Sequence, residues 1–432
     1  MRKSDLLKDK IKSDIQLVAF YLPQFHPVPE NDEWWGKGFT EWTNVTKAKP
    51  LFPGHYQPHL PADLGFYDLR LREVRREQID LAKAYGIDAF CYHYYWFSGK
   101  RLLEAPLEDM LADTESDMPF CLCWANENWS RRWNGGEQDI LIEQKYLPED
   151  ALRFIEDISS YIQDPRYLKV DDMPLLIVYR PQEIPYLKET LGVWRAYCRR
   201  TGIGEIHLCA ALTFGNFEYE DLGFDSGVEF PPHNRAALGV GCTRGKIKFF
   251  EPFKGCAVMF HEFANSYLNR DHSGKNIFRA VFPSWDSTAR TQNKAQVFLN
   301  GTPANYEYWL SQTIKKTREE HPGLNRFVFI NAWNEWAEGC HLEPDRKFNK
   351  SFLEATLRAK SGLTLLKTFQ DINIPEEAQA NFPSFFKDIV TVIKRHFLLF
   401  IQRCYEWLGK ALSKWPALKR TVRYLLVPSS RK

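Results

Sequence analysis

Two glutamates three positions apart, Glu335 and Glu338, stand among tryptophans in Asn331-Ala-Trp-Asn-Glu-Trp-Ala-Glu-Gly-Cys340, directly after the apolar run Phe327-Val-Phe-Ile330. Carboxylic acids move protons on and off glycosidic oxygens and sugar hydroxyls, and indole faces stack on the apolar C–H side of a pyranose. The combination reads as the catalytic acid/base pair of a reaction on a sugar. A neighbouring carboxylate should raise the pKa of the acid and keep one proton available near neutral pH. Taken alone, the stretch is equally a strand end with solvated charges and core tryptophans, because paired carboxylates mark a site only statistically.

Such residues need strands to hold them, and short apolar runs recur along the chain. They are Gln16–Tyr21, Ile87–Tyr92, Phe120–Cys123, Leu175–Tyr179, Ile206–Ala210, Gly227–Phe230, Phe278–Phe282 and Phe327–Ile330. Between them the periodicity predicts helices at Arg72–Tyr85, Asp150–Ile162, Tyr186–Arg200 and Asn305–Glu320. Near-continuous apolar strands alternating with helices mean a parallel sheet covered by helices. Eight of them predict a (β/α)8 TIM-type barrel with insertions, spanning residues 15–370 after a polar segment 1–14. A doubly wound sheet is the competitor, but no Gly-rich phosphate turn follows the first run.

In a barrel, functional residues gather just past the strand C-termini. That rule nominates Tyr21, Gln24 and His26 after the first run, and His93, Tyr94 and Trp96, with Tyr95, at the second. It adds Trp124, Asn126 and Glu127 after the third, Glu229 at the sixth, Trp285 and Asp286 after the seventh, and Asn334 and Trp336 beside the glutamate pair. Each has a plainer alternative. Glu127 can pair with Arg131 or Arg132, His93 can be a core histidine, and Asp286 before Ser287-Thr288 can cap a helix. Glu41 and Trp42 lie in a connection too long to be mere linkage, which suggests a lid or subsite wall, while Trp34-Trp35 anchors that loop.

Composition limits the classes. The chain has 432 residues, 44% hydrophobic and 26% charged, so a sizeable core can form. A net charge of +2 argues against a nucleic-acid binder, which needs a concentrated basic surface. The 15% aromatic content, with 14 Trp often beside Asn, Glu and His, suggests lined clefts as well as core. The first 14 residues carry no apolar stretch of a secretory signal, and no run reaches the ~18 apolar residues of a membrane span. Nine scattered cysteines without CxxC pairs read as buried hydrophobes of a reducing compartment, so a cytoplasmic location is expected. No His, Asp or Cys set has metal-type spacing, so neither metal nor cofactor is expected.

Tyr21-Leu-Pro-Gln-Phe-His-Pro27, Glu30–Gly36, Gly38–Val45, His55-Tyr-Gln-Pro-His59, Cys91–Trp96, Trp124–Trp129, Phe282–Arg290 and Asn331–Gly339 together resemble the WbsX family. The resemblance covers roughly residues 15–355 and implies a glycosyltransferase-type protein of bacterial O-antigen or capsule gene clusters. That family is in turn similar to glycoside hydrolase family 99, endo-acting α-mannosidases on a (β/α)8 barrel with a Glu-Trp-His-Glu-Gly motif. Here the motif is Glu335-Trp336-Ala337-Glu338-Gly339, with Ala337 at the His position. The resemblance implies that Glu335 acts as a base on a sugar 2-hydroxyl and Glu338 as general acid/base, through a 1,2-anhydro sugar.

The expected activity is cleavage or transfer of a glycosyl unit in cell-surface polysaccharide biosynthesis, on an oligosaccharide or lipid-linked glycan. The alternatives are a nucleotide-sugar-dependent glycosyltransferase and a non-catalytic glycan-binding barrel. Against the first stand the lack of a convincing Asp-x-Asp motif and of a Gly-rich phosphate loop.

Beyond a linker at 371–383, residues Phe386, Val390, Ile393, Phe397, Ile401, Cys404, Leu408, Ala411 and Trp415 recur at helical spacing, with Lys and Arg on the flanks. Residues 384–432 thus read as a basic amphipathic helical segment suited to peripheral contact with an anionic inner leaflet, or to packing on the barrel or a partner subunit. Truncation after Asp371 should move the protein from the membrane to the soluble fraction while sparing activity on soluble glycans. Unchanged partitioning, or aggregation, would assign the segment a structural role instead.

Overall fold

The structure is a computed structural model that describes residues 13–131, 136–215, 218–243, 247–321, 323 and 326–371. The linker beyond Asp371 and the basic segment 384–432 lie outside the described residues, as does the polar N-terminal segment up to residue 12.

Eight parallel strands form the centre: β1 Gln16–Tyr21, β2 Ala89–Phe97, β3 Phe120–Trp124, β4 Met173–Val178, β5 His207–Leu212, β6 Ser226–Glu229, β7 Ile277–Val281 and β8 Phe327–Ile330. Each pairs with the next in sequence, and β8 returns to β1 with Gln16 opposite Phe327, so the sheet closes into the expected (β/α)8 barrel. β1, β3, β4, β5, β7 and β8 are buried almost throughout because helices cover the outside and side chains fill the inside. Among those helices, Asp150–Ile162 buries Phe154, Ile155, Ile158, Tyr161 and Ile162, the one-sided stripe that its 3.6-residue period dictates. Leu187–Arg200 packs beside it, and Pro303–Glu320 lies against β7, β8 and the helix Ser351–Lys360.

The insertions build the barrel mouth. A two-stranded antiparallel unit, Asn334–Glu335 with Cys340–His341, carries the glutamate pair just past β8. A parallel pair, Cys256–Met259 with Gln296–Leu299, lies on the way into and out of β7. Here the reading of all cysteines as unpaired is corrected. Thr243 N–H donates to Ala257 O at 2.7 Å, which lays the preceding loop along this strand and puts Cys242 beside Cys256 in a disulfide. Fourteen residues of separation hid that contact. Cys91, Cys121, Cys123, Cys198, Cys209 and Cys340 are free and buried, but with one pair oxidised the cysteines no longer argue for a reducing compartment. Among the described residues no helix is long and apolar enough to cross a membrane.

The turn bearing the glutamates depends on one glycine. Gly339 has φ +56°, and a Cβ there would lie 2.9 Å from the Asp286 Cβ and 3.1 Å from both the Asp286 amide nitrogen and carbonyl oxygen. The same approach lets the Asp286 N–H donate to Glu338 O at 2.6 Å. Gly339→Ala should therefore destabilise the protein by more than about 1 kcal/mol, since conformation and space both oppose it. Urea denaturation measures the loss; an unshifted midpoint would contradict the argument.

Candidate functional site

The barrel mouth opens into a cleft of about 340 Å³, lined among others by Gln24, His93, Tyr95, Glu127, Tyr179, Phe230, His233, Arg290, Glu335 and Glu338. Its chemical centre is Arg290. One guanidinium reaches Glu338 Oε1 at 2.5 Å through Nη1, and through Nη2 it reaches Glu335 Oε2 at 3.1 Å and Glu41 Oε2 at 3.3 Å. The Glu41 side chain is fully buried, Glu335 nearly so, and Glu338 is 21% exposed, the most open of the three.

Three carboxylates around one buried cation cannot all ionise at little cost. Burial raises Glu335 well above the usual carboxylate range, the Glu338 and Glu41 charges add to the rise, and Arg290 opposes it. Burial raises Glu338 too, again against Arg290 and with help from Glu41. The pair thus retains a proton that free glutamates would lose, as a general acid and a base at one site require. The imidazoles on the cleft wall are held neutral. Burial brings His93 down to about 4 with help from Arg290, and brings His233 down to about 4 with help from Arg180 and His93.

Surrounding contacts fix this geometry. Asn334 clasps the end of β1, accepting from Leu22 N–H at 2.8 Å and donating to Leu22 O at 2.9 Å. Arg290 projects from the short helix Thr288–Thr291, whose first N–H, that of Thr288, donates to Asp286 Oδ1 at 2.9 Å. The other Asp286 oxygen meets His55 Nε2 at 2.6 Å and Gln57 Nε2 at 2.7 Å. Trp336 stacks on His341 at 3.8 Å and donates to Glu343 Oε2 at 2.6 Å, while Trp42 packs against its ring. Glu343 also accepts from Tyr67 and Gln78, and burial pushes it up to about 7.

The structure therefore brings Glu335, Glu338, Gln24, His93 and Glu127 to the cleft, with Glu127 pairing to Arg180 at 3.2 Å. Several nominated residues are placed elsewhere, mainly because successive side chains on a strand face opposite ways. On β2, His93 and Tyr95 line the cleft, whereas Tyr94 hydrogen-bonds Asp157 and Trp96 packs on Phe154. Tyr21 is buried on Gln78, while its neighbour Leu22 lines the cleft. Trp124 stacks on Phe154, also outside the barrel. His26 is buried away from the cleft lining. Asn126 is spent on Tyr146 and the Arg180 backbone. Glu229 is buried against His272 and Arg270. Trp285 and Asp286 line a second cavity instead, and Asn334 and Trp336 support the turn from within. Glu41 and Trp42 form no lid: they are buried beneath the glutamates, in contact with Arg290 and Trp336. Of the Trp34-Trp35 anchor, Trp34 packs on Trp129, whereas Trp35 lines the cleft. Ala337 is buried and absent from the cleft lining.

Sequence reasoning missed Arg290 and His233. Arg290 closes the stretch Phe282–Arg290, where a cation among aromatic and small residues was the available signal. It also missed a grouping that spacing does not reveal. His59, His341 and Asp345 present ligand atoms within 4.8 Å of one another, which corrects the expectation that no metal-type set exists.

A closed parallel barrel with a buried carboxylate–guanidinium cluster at its C-terminal mouth defines the class of this protein. Residues 17–356 match the family described as Glycosyltransferase WbsX, and the chain belongs to that family. It is 48% identical over 343 residues to a Xanthomonas campestris pv. campestris protein named "Uncharacterized protein WxcX", covering 79% of this chain and 49% of that one. The chain thus spans about half the length of the curated relatives it matches. Among solved structures, a "Glycoside hydrolase-like protein" aligns with a TM-score of 0.51 at 13% identity, over 82% of this chain and 98% of its own. The GH99 endo-alpha-mannosidase from Bacteroides thetaiotaomicron aligns with a TM-score of 0.50 at 13% identity, over 81% and 97%. At that identity the likeness concerns the fold.

The proton balance is measurable. A group whose folded pKa is raised contributes full stability below its unfolded value and loses it as pH rises through the folded one. Glu335→Gln mimics the protonated form, so the variant should gain on the native protein as pH rises through neutrality. The gain is about 1.4 kcal/mol for each unit of elevation. Guanidinium denaturation at a series of pH values tests this; a pH-independent difference would refute the shared proton.

Proposed function

We propose that this chain is a carbohydrate-active enzyme that cleaves or transfers a glycosyl unit of an α-linked glycan in cell-surface polysaccharide assembly, with Glu335 and Glu338 as the acid/base pair. The observation that carries this reading is the buried Arg290 bridge, which holds both carboxylates in one cleft and leaves them with a proton to exchange. Glu338, the more open of the two, suits protonation of a leaving oxygen; Glu335, deeper beside Tyr95, suits a hydroxyl or carbon held against the barrel floor. The WbsX family and the barrel support the carbohydrate class.

Farther along the cleft, Phe230, His233 and Phe214 form a stack, with centroids 5.3 and 5.2 Å apart, and the Arg180 guanidinium lies 4.0 Å from the Phe214 centroid. With His233 stacked on it and Arg180 over its ring, Phe214 still keeps 51% of its surface exposed, an apolar contact at the cleft wall for a sugar. The family's description favours transfer, and the same acid/base pair can activate either a sugar hydroxyl or water as acceptor. A nucleotide-sugar donor suits the cleft less well. Arg290 in its described lining is already matched by carboxylates, Arg180 against Phe214 pairs with Glu127 and Glu183, and a diphosphate calls for unmatched positive charge. A lipid-linked substrate and attachment at the inner leaflet belong to the same proposal and rest on the basic sequence 384–432.

Glu335→Gln and Glu338→Gln should each lower turnover of an α-linked oligosaccharide by roughly 10²–10⁴-fold with little change in its binding. Product analysis with water or a sugar alcohol as acceptor separates hydrolysis from transfer. Turnover that survives both substitutions would end the acid/base assignment, and binding without turnover in the native chain would leave a glycan-binding barrel.

A further inference from the structure

We propose that His59, His341 and Asp345 form a binding site for a divalent transition ion of the zinc class, which braces the turn carrying the glutamate pair from behind. All three residues are buried, and they come from two segments that sequence places far apart.

The imidazoles are already arranged as ligands. His341 Nδ1 lies 2.9 Å from Glu343 O, and a carbonyl can only accept, so Nδ1 carries the proton. Its Nε2 therefore presents a lone pair, directed at His59 Nδ1 3.0 Å away. A backbone carbonyl fixing the remote nitrogen is the usual support of a metal-bound histidine. Binding requires His59 to carry its proton on Nε2, a change of tautomer that leaves the ring neutral.

Asp345 supplies the independent observation. Its Oδ1 accepts from Lys347 N–H at 2.9 Å and Phe348 N–H at 2.5 Å, which sets the carboxylate's orientation. Oδ2 is buried and has no hydrogen-bond partner, an expensive state for a carboxylate oxygen unless a cation or water meets it. The Tyr56 hydroxyl is buried close to the Asp345 carboxylate without a hydrogen bond of regular geometry to it, and the Lys347 side chain lines the same cavity as both. His59, Asp345 and Tyr56 line a cavity of about 210 Å³, room for a water that completes the coordination and meets that hydroxyl. Two imidazoles, one carboxylate and an open position match zinc-class ions, whereas calcium or magnesium would need oxygen ligands.

The cradle does not need the ion to form. Ala62 N–H donates to Pro344 O and Arg346 N–H to Leu60 O, both at 2.9 Å, so backbone pairing holds the two segments together. The ion would act through His341, whose ring lies flat on Trp336 between the two glutamates in sequence. It stands outside the cleft and takes no part in bond making.

The test uses the full chain, stripped with a chelator, dialysed, and titrated with Co²⁺ followed by visible absorption, then with Zn²⁺ in competition. One ion per chain is expected. His59→Gln and Asp345→Asn should each weaken it roughly 10–100-fold with unchanged circular dichroism; Asp345→Asn keeps the Oδ1 acceptor and so preserves the backbone turn. A stripped native chain that takes up neither ion would overturn the proposal. So would variants that bind as the native chain does, because the ion would then sit elsewhere.

Discussion

Placing a guanidinium under three carboxylates, away from bulk water, is the constraint around which the rest of this barrel mouth is arranged. An isolated buried charge is costly, and removing one partner of a buried pair typically costs 3–5 kcal/mol, so such a cluster persists only where its geometry is held from every side. Arg290 comes from the loop after β7, Glu335 and Glu338 from the turn after β8, and Glu41 from the long connection after β1. The barrel is what brings these three connections to one point. The charge deficit they create keeps a proton on the glutamate pair.

Around that cluster lies a layer of residues that do not line the glutamate cleft. Asp286 ties the Arg290 helix to His55 and Gln57, and its backbone meets Glu338 across Gly339. Asn334 pins the glutamate turn to β1, and Trp336 rests between Trp42 and His341 with its indole N–H on Glu343. Rigid support of this kind is what the proposed proton transfer would need, because an acid and a base must hold hydrogen-bond distance to the reacting atoms. Many of the polar and aromatic residues that make the chain look sugar-directed therefore lie behind the cleft and hold the residues that line it.

Much of the architecture was legible beforehand. The eight apolar runs carry their own evidence, since a strand covered by helices must be apolar on both faces, and the predicted helices agree with the structure within a few residues. The glutamate pair was legible because it follows β8 directly, and functional residues of a barrel gather past the strand C-termini. Individual wall residues were less legible. Choosing His93, Tyr94 and Trp96 together set aside the two-residue alternation of a strand, which puts His93 and Tyr95 in the cleft and Tyr94 and Trp96 under the helices.

The sequence by itself determined the strand and helix order, the closed parallel sheet, and the position of two carboxylates at its mouth, because these follow from local periodicity and chain order. Only the tertiary structure decided that Arg290 and Glu41 join those carboxylates, that Asp286 lies on a second cavity and holds the Arg290 helix, that Cys242 meets Cys256, and that His59 faces His341 and Asp345. Each of these is a contact between segments separated by loops of no fixed direction. Periodicity says nothing about where such loops end, whereas the burial of charge, which selects among their possible endings, exists only once the barrel has closed.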